Sequence, residues 1–131
     1  RSCAMTDPAA LLALAAVVEG GIGPAREIDR LVRAALFGVS TDQAKHLPMT
    51  YVPHYTSSLD AAYPLLREKL PDRVFRVHEF LDRSIFDVRL AGVDKDGWPL
   101  GSHRGRASTL DRAIVAAVLR GVAATITPQE K

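Results

Sequence analysis

Cysteine is almost missing from this chain. Cys3 is the only one in 131 residues, which excludes an internal disulfide framework and any multi-cysteine metal site. A lone thiol fits a reducing, cytoplasmic setting. Long apolar runs are missing too. The longest, Ala9 to Val18, falls well short of the roughly 20 residues a bilayer-spanning helix needs. It also lacks the basic flank and cleavage pattern of a signal peptide, so no membrane association is expected. Neither sign of charge dominates: 17 Lys and Arg face 15 Asp and Glu, for a net charge of +2. The chain as a whole is no polyelectrolyte binder, and the balance argues against a nucleic-acid partner unless a local basic patch supplies the contact.

Chemical motifs are equally scarce. No glycine-rich loop followed by Lys-Ser/Thr is present, which removes nucleotide hydrolysis of that type. His46, His54, His78 and His103 are the only histidines, and no pair has the close helical spacing of a metal-binding face. Asp94, Asp96 and Gly97 resemble a fragment of a calcium loop, but the remaining oxygen ligands and closing glutamate are lacking. The stretch reads as a hairpin turn. Ser57 or Ser58 with a histidine and an aspartate would formally compose a hydrolase triad, yet no nucleophile elbow surrounds either serine. The expectation is a protein with no catalytic residues, no metal and no cofactor.

What the chain does have is material for one core. It is 47% hydrophobic and 24% charged, the balance of an ordinary globular domain. Residues 1–131 are read as one domain, with 1–6 and 127–131 as flexible ends. Thr6-Asp7-Pro8 supplies a cap and a first-turn proline ahead of Leu11, Leu12, Leu14, Ala15 and Val18 at helical spacing. Gly20-Gly21 stops that helix. After Gly23-Pro24, Ile28, Leu31, Val32, Ala35 and Leu36 predict a second apolar stripe. Arg26, Glu27, Asp29, Arg30 and Arg33 are placed on its opposite face, where Glu27-Arg30 and Asp29-Arg33 can pair. Val39 to Pro53 reads as an irregular connection. A third helix follows from about Ser58 to Lys69, disturbed at Pro64.

The texture then changes. Val74 to Phe80 and Ile85 to Leu90 are rich in β-branched and aromatic residues, and the four residues between them predict an antiparallel hairpin. Phe75 and Val77 are assigned to the apolar face of the first strand, with Phe86, Val88 and Leu90 on the second. Trp98 to Leu100 is read as a short third strand, and Gly101 to Ala107 as a glycine- and arginine-bearing loop. Ser108-Thr109 caps a last helix with Leu110, Ile114, Val115, Val118, Leu119 and Val122 in strong period. Helices, a small antiparallel sheet and a closing helix make an α+β domain. The strands are expected to meet Ile28-Leu31-Ala35 and Ile114-Val118.

Three segments carry a resemblance: His54-Tyr55-Thr56-Ser57-Ser58-Leu59-Asp60-Ala61-Ala62, Gly23-Pro24-Ala25-Arg26-Glu27-Ile28-Asp29, and Gly105-Arg106-Ala107-Ser108-Thr109-Leu110-Asp111-Arg112-Ala113. In this order they resemble the phage and prophage αβα ("ABA") sandwich domain, although the family usually has Thr-Pro where this chain has Thr109-Leu110. That family is defined by its fold and its occurrence in phage genomes. The resemblance therefore implies helices packed on a sheet and a bacterial host cytoplasm, not a reaction.

Two sites suggest themselves. Arg104 and Arg106 lie beside Ser108 and Thr109, where arginine forks and free amides of a helix start both favour an anion. Tyr55, Thr56, Ser57 and Ser58 form a second hydroxyl-rich helix start. Three functions compete. The first is a phage accessory protein that binds a host or phage partner without catalysis. The second is a counter-defence protein that sequesters a phosphorylated small molecule such as a nucleotide signal. The third is a small enzyme with no recognisable motif. A homodimer would bring two arginine-bearing segments together.

Overall fold

The computed structural model describes residues 7–21, 25–38, 43, 46, 48, 52–82, 84–93, 96 and 99–126. The expected flexible ends at 1–6 and 127–131, most of the connection from Val39 to Tyr51, and Trp98 lie outside the described residues. Helix α1 is Pro8–Gly20. The Asp7 carboxylate accepts a hydrogen bond from the Ala9 amide at 3.3 Å, and Pro8 occupies a first-turn position whose missing N–H costs nothing. The helix stops at Gly21, whose φ of 65° is left-handed and whose N–H returns to the Val17 and Val18 carbonyls. Helix α2 is Ala25–Leu36 and helix α3 is Leu59–Lys69, which runs through Pro64 without breaking.

Strands β1 (Val74–Phe80), β2 (Ile85–Val93) and β3 (Pro99–Ala107) form an antiparallel sheet in that order. The β1–β2 hairpin has Phe80 opposite Ile85, and β2 aligns Val88 with Gly105 and Asp87 with Arg106. Helix α4 (Leu110–Ile126) closes the chain. The fold is α+β, four helices and one three-stranded sheet among the described residues. None of those helices is long and apolar enough to cross a membrane.

Helix α4 is the centre of the molecule. Every residue from Ala113 to Leu119 is buried, as expected for a helix that is apolar all round. It lies across β2 and β3, with α1 on one flank and α3 on the other, while α2 packs on α1. The inward side chains of the sheet include Phe75, Phe86, Val88, Leu90, His103 and Ala107, with Gly105 among them. There the chains approach so closely that a Cβ would stand 2.0 Å from the Ala113 carbonyl oxygen. A strand glycine is used here to admit another backbone.

Three sequence expectations need correction. Residues 101–107 are not a loop but most of β3. Their inward positions carry His103, Gly105 and Ala107 rather than large aliphatics, so the alternating pattern is invisible in hydropathy. Helix α2 is rotated from its expected orientation: Ile28 and Val32 are buried, but Leu31 is 39% exposed and Asp29 is fully buried. The stripe that meets the sheet is Ile114-Val118, not that of α2. Lastly, Val77 is exposed at the β1 edge, and Phe75 alone anchors that strand, edge-on to Tyr63 of α3 at 6.0 Å between ring centroids.

Candidate anion-binding face

Side chains alternate across a strand, so covering one face of the sheet with α4 leaves the other to the intervening residues. On β1 these include Arg76, His78 and Phe80; on β2, Asp87 and Arg89; on β3, Arg104 and Arg106. The register sets them in two rows across the sheet. One row is Arg76–Arg89–Arg104, and the next is His78–Asp87–Arg106. Arg76, His78, Arg89, Arg104 and Arg106 are all exposed. Arg76, His78, Phe80, Asp87, Arg89 and Arg106 border a hollow of about 510 Å³.

The charge arrangement is lopsided. Asp87 is buried, with its Oδ1 3.3 Å from Arg104 Nε and 3.8 Å from Arg106 Nε. Both contacts are ion pairs by distance, yet neither has hydrogen-bond geometry, and Oδ1 lacks a hydrogen-bond donor. The side chains of Arg76 and Arg89 have no ion pair or hydrogen bond among the described residues. Arg89 is directly opposite Arg76 on one side and Arg104 on the other. Like charges directly across a ladder oppose folding, by up to about 1 kcal/mol per pair. Such a row carries an electrostatic cost that a counter-charge would relieve. Beside it, the His78 and Phe80 rings stack at 4.6 Å and 28°, with the Arg106 guanidinium 5.5 Å from the Phe80 centroid.

The back edge of β3 is closed by side chains from two helices. Glu19 of α1 accepts from the Arg106 amide at 2.7 Å and holds Arg120 of α4 by paired contacts of 2.5 and 2.7 Å. Arg120 also donates to the Arg104 carbonyl at 2.7 Å. Two of the outward backbone groups of this edge strand, the Arg106 amide and the Arg104 carbonyl, are thereby satisfied where an edge is ordinarily a template for aggregation. Burial acts to raise the Glu19 carboxyl, but the Arg120 and Arg106 hydrogen bonds and charges outweigh it and hold its pKa below the ordinary value. A carboxylate depressed in this way stabilises the fold above its unfolded value, about 4.3. That contribution is lost as pH falls through the folded pKa. Glu19→Gln is expected to flatten the acid limb of a stability–pH curve and to lower stability at neutral pH by about 1 kcal/mol. Chemical denaturation from pH 7 to 3 measures it; parallel curves for the two proteins would refute the assignment.

The sequence singled out Arg104, Arg106, Ser108 and Thr109 together. In the structure the two arginines stand on the outer face with their Nε atoms toward Asp87. Helix α4, which starts after exposed Ser108 and Thr109, lies against the inner face. No hydrogen bond or ion pair among the described residues joins either guanidinium to that helix start. Across the sheet, Arg104 is opposite Arg89, and beyond it lies Arg76. Sequence reasoning passed over both, because their proximity depends on strand register. The period-two spacing of Arg76-x-His78-x-Phe80, Asp87-x-Arg89 and Arg104-x-Arg106 was the available signal.

The second helix start serves a structural purpose. The Thr56 amide and hydroxyl donate to Asp29 Oδ1 at 2.9 and 2.8 Å, while Arg26 donates to Oδ2 at 2.8 Å. Arg26 also donates to the Val52 carbonyl at 2.7 Å and the Pro53 carbonyl at 3.2 Å. Asp29 thus pairs with Arg26, not with Arg33 as the helical spacing suggested; Arg33 donates to the Tyr55 hydroxyl at 3.3 Å. Burial pushes the Tyr55 phenol up, with Arg33 opposing. Ser58 holds the N-cap position of α3 without a side-chain hydrogen bond, and Ser57 is exposed. The adjacent hollow of about 430 Å³ includes Asp60 and Glu68 in its lining. Buried Asp29 and those two carboxylates disfavour an anion on this side.

No family model matches the chain, and no curated protein or solved structure matches it either.

Proposed function

We propose that this protein acts by binding an anionic ligand, without turnover, on the open face of its sheet. The observation that carries this reading is the Arg76–Arg89–Arg104 row, three cross-strand guanidiniums of which two have no counter-charge among the described residues. Guanidinium forks match phosphate oxygens in geometry and charge, which supports a phosphorylated ligand class. The resemblance to phage proteins adds a setting: an accessory protein of a phage or prophage that captures a host or phage component in the bacterial cytoplasm. Sequestration of a phosphorylated small molecule is one form of that role.

The reading predicts a trade between stability and binding. Arg89→Glu turns two repulsive cross-strand pairs into attractive ones, which should raise stability by about 0.5–1 kcal/mol. The same change should weaken pyrophosphate binding more than tenfold, a loss of over about 1.4 kcal/mol. Thermal unfolding and a pyrophosphate titration followed by backbone amide shifts measure the two effects. Shifts are expected along Arg76, Arg89 and Arg104. Shifts confined to residues 55–58 or 108–109, or binding unchanged in Arg89→Glu, would overturn the proposal.

A further inference from the structure

Resting on the anion-binding reading, we infer that the ligand of this face is single-stranded nucleic acid, with consecutive phosphates on Arg76, Arg89 and Arg104 and a base stacked on the His78–Phe80 rings. The row is a track and not a point. Neighbouring strands in a sheet are about 4.8 Å apart, so the outer two arginines arise from backbones separated by about 10 Å. One phosphate group is too small to engage all three, whereas successive phosphates of a flexible strand can follow the row.

The second row supplies what a phosphate track alone lacks. His78 and Phe80 are already stacked at 4.6 Å, and Arg106 lies 5.5 Å from the Phe80 ring centre. Aromatic and guanidinium planes beside a basic groove make the platform on which unpaired bases stack, whatever their sequence. Bases inside a duplex hide their faces from such a platform, so the ligand must be single-stranded. The site is an open sheet face, which a strand can cross without threading. The chain's low net charge does not conflict with this, because among the described residues the four arginines share that face with one carboxylate, Asp87.

The test is an anisotropy titration of the full chain with a fluorescein-labelled thymidine oligonucleotide of about a dozen residues, within the usual site size of such surfaces. Polyphosphate of equal charge and the matching duplex serve as competitors. The oligonucleotide should bind tighter than either, with a salt slope of about −2 for three phosphate contacts on a single strand. His78→Ala, at an exposed position, and Phe80→Ala should each lower the oligonucleotide-to-polyphosphate affinity ratio at least fivefold. Polyphosphate binding equal to that of the oligonucleotide, or a ratio unchanged in both variants, overturns the inference and leaves the anion-binding reading standing. If duplex displaces the strand as well as single-stranded competitor does, the inference also falls. Binding of neither oligonucleotide nor polyphosphate removes both.

Discussion

Gly105→Ala is expected to destabilise the protein by about 3 kcal/mol, the upper end of the cost of overpacking. The added Cβ would lie 2.0 Å from the Ala113 carbonyl oxygen and 2.7 Å from the Ala117 amide nitrogen. Those atoms belong to the α4 backbone, so no side chain can swing away to make room. Either α4 lifts from the sheet or β3 bends outward, and both open the core around Val88, Leu90, Ile114 and Val118, all buried. At roughly 3–4 °C per kcal/mol for a domain of this size, the melting temperature should fall by about 10 °C. A variant melting within 2 °C of the parent, on the order of 0.5 kcal/mol, would show that the α4–β3 contact is looser than described. Gly121 offers a comparison: a Cβ there meets the Leu70 Cδ1 at 2.5 Å, the far end of a flexible side chain, so the same substitution should cost less.

Gly105 also explains why parts of this fold were legible in the sequence and parts were not. Helices α1 and α4 and the β1–β2 hairpin declare themselves, because their apolar spacing follows the geometry of one element and needs no knowledge of its neighbours. The third strand does not. Its inner positions hold His103, Gly105 and Ala107, no large aliphatic among them, and its outer ones hold Arg104 and Arg106, so it reads as a basic loop. The orientation of α2 was missed for the converse reason. Placing Asp29 inside and Leu31 outside contradicts hydropathy, and it becomes favourable only once Thr56, distant in sequence, arrives to donate two hydrogen bonds.

The candidate site divides in the same way. Arg104 and Arg106 are conspicuous as a local cluster, and the sequence gives reason to single them out. Arg76 and Arg89 are ordinary residues of ordinary strands until register aligns them with Arg104. Cross-strand neighbours depend on loop length and pairing, which local composition does not encode. The hydroxyl segment at 55–58 misled in the opposite sense. Its residue types suit both an anion site and an internal hydrogen-bond partner, and only the depth of Thr56 and Asp29 separates the two.

Asp29→Ala is expected to cost about 3 kcal/mol, the lower end for removing one partner of a buried ion pair. The carboxylate is fully buried and accepts three hydrogen bonds, from Arg26, the Thr56 amide and the Thr56 hydroxyl. Its removal strands two buried donors on Thr56, a further reason for a large loss. Arg26 softens the effect, because its side chain is 31% exposed and keeps the Val52 and Pro53 carbonyls as acceptors. Asp29→Asn separates charge from hydrogen bonding. Its amide oxygen can still accept from Thr56 while the attraction to Arg26 is gone, so it should lose about 1–2 kcal/mol, as for a charged hydrogen bond made neutral. Urea unfolding ranks the two variants, and an unchanged m-value would show that stability and not compactness has altered. Amide exchange at Thr56 supplies the local readout: protection should collapse in Asp29→Ala and persist in part in Asp29→Asn. The sheet face is on a different part of the chain, so pyrophosphate binding should survive in whatever fraction remains folded. Equal stability of Asp29→Ala and the parent would mean that α2 and the segment before α3 are held together by apolar contact alone, with the buried carboxylate incidental to it.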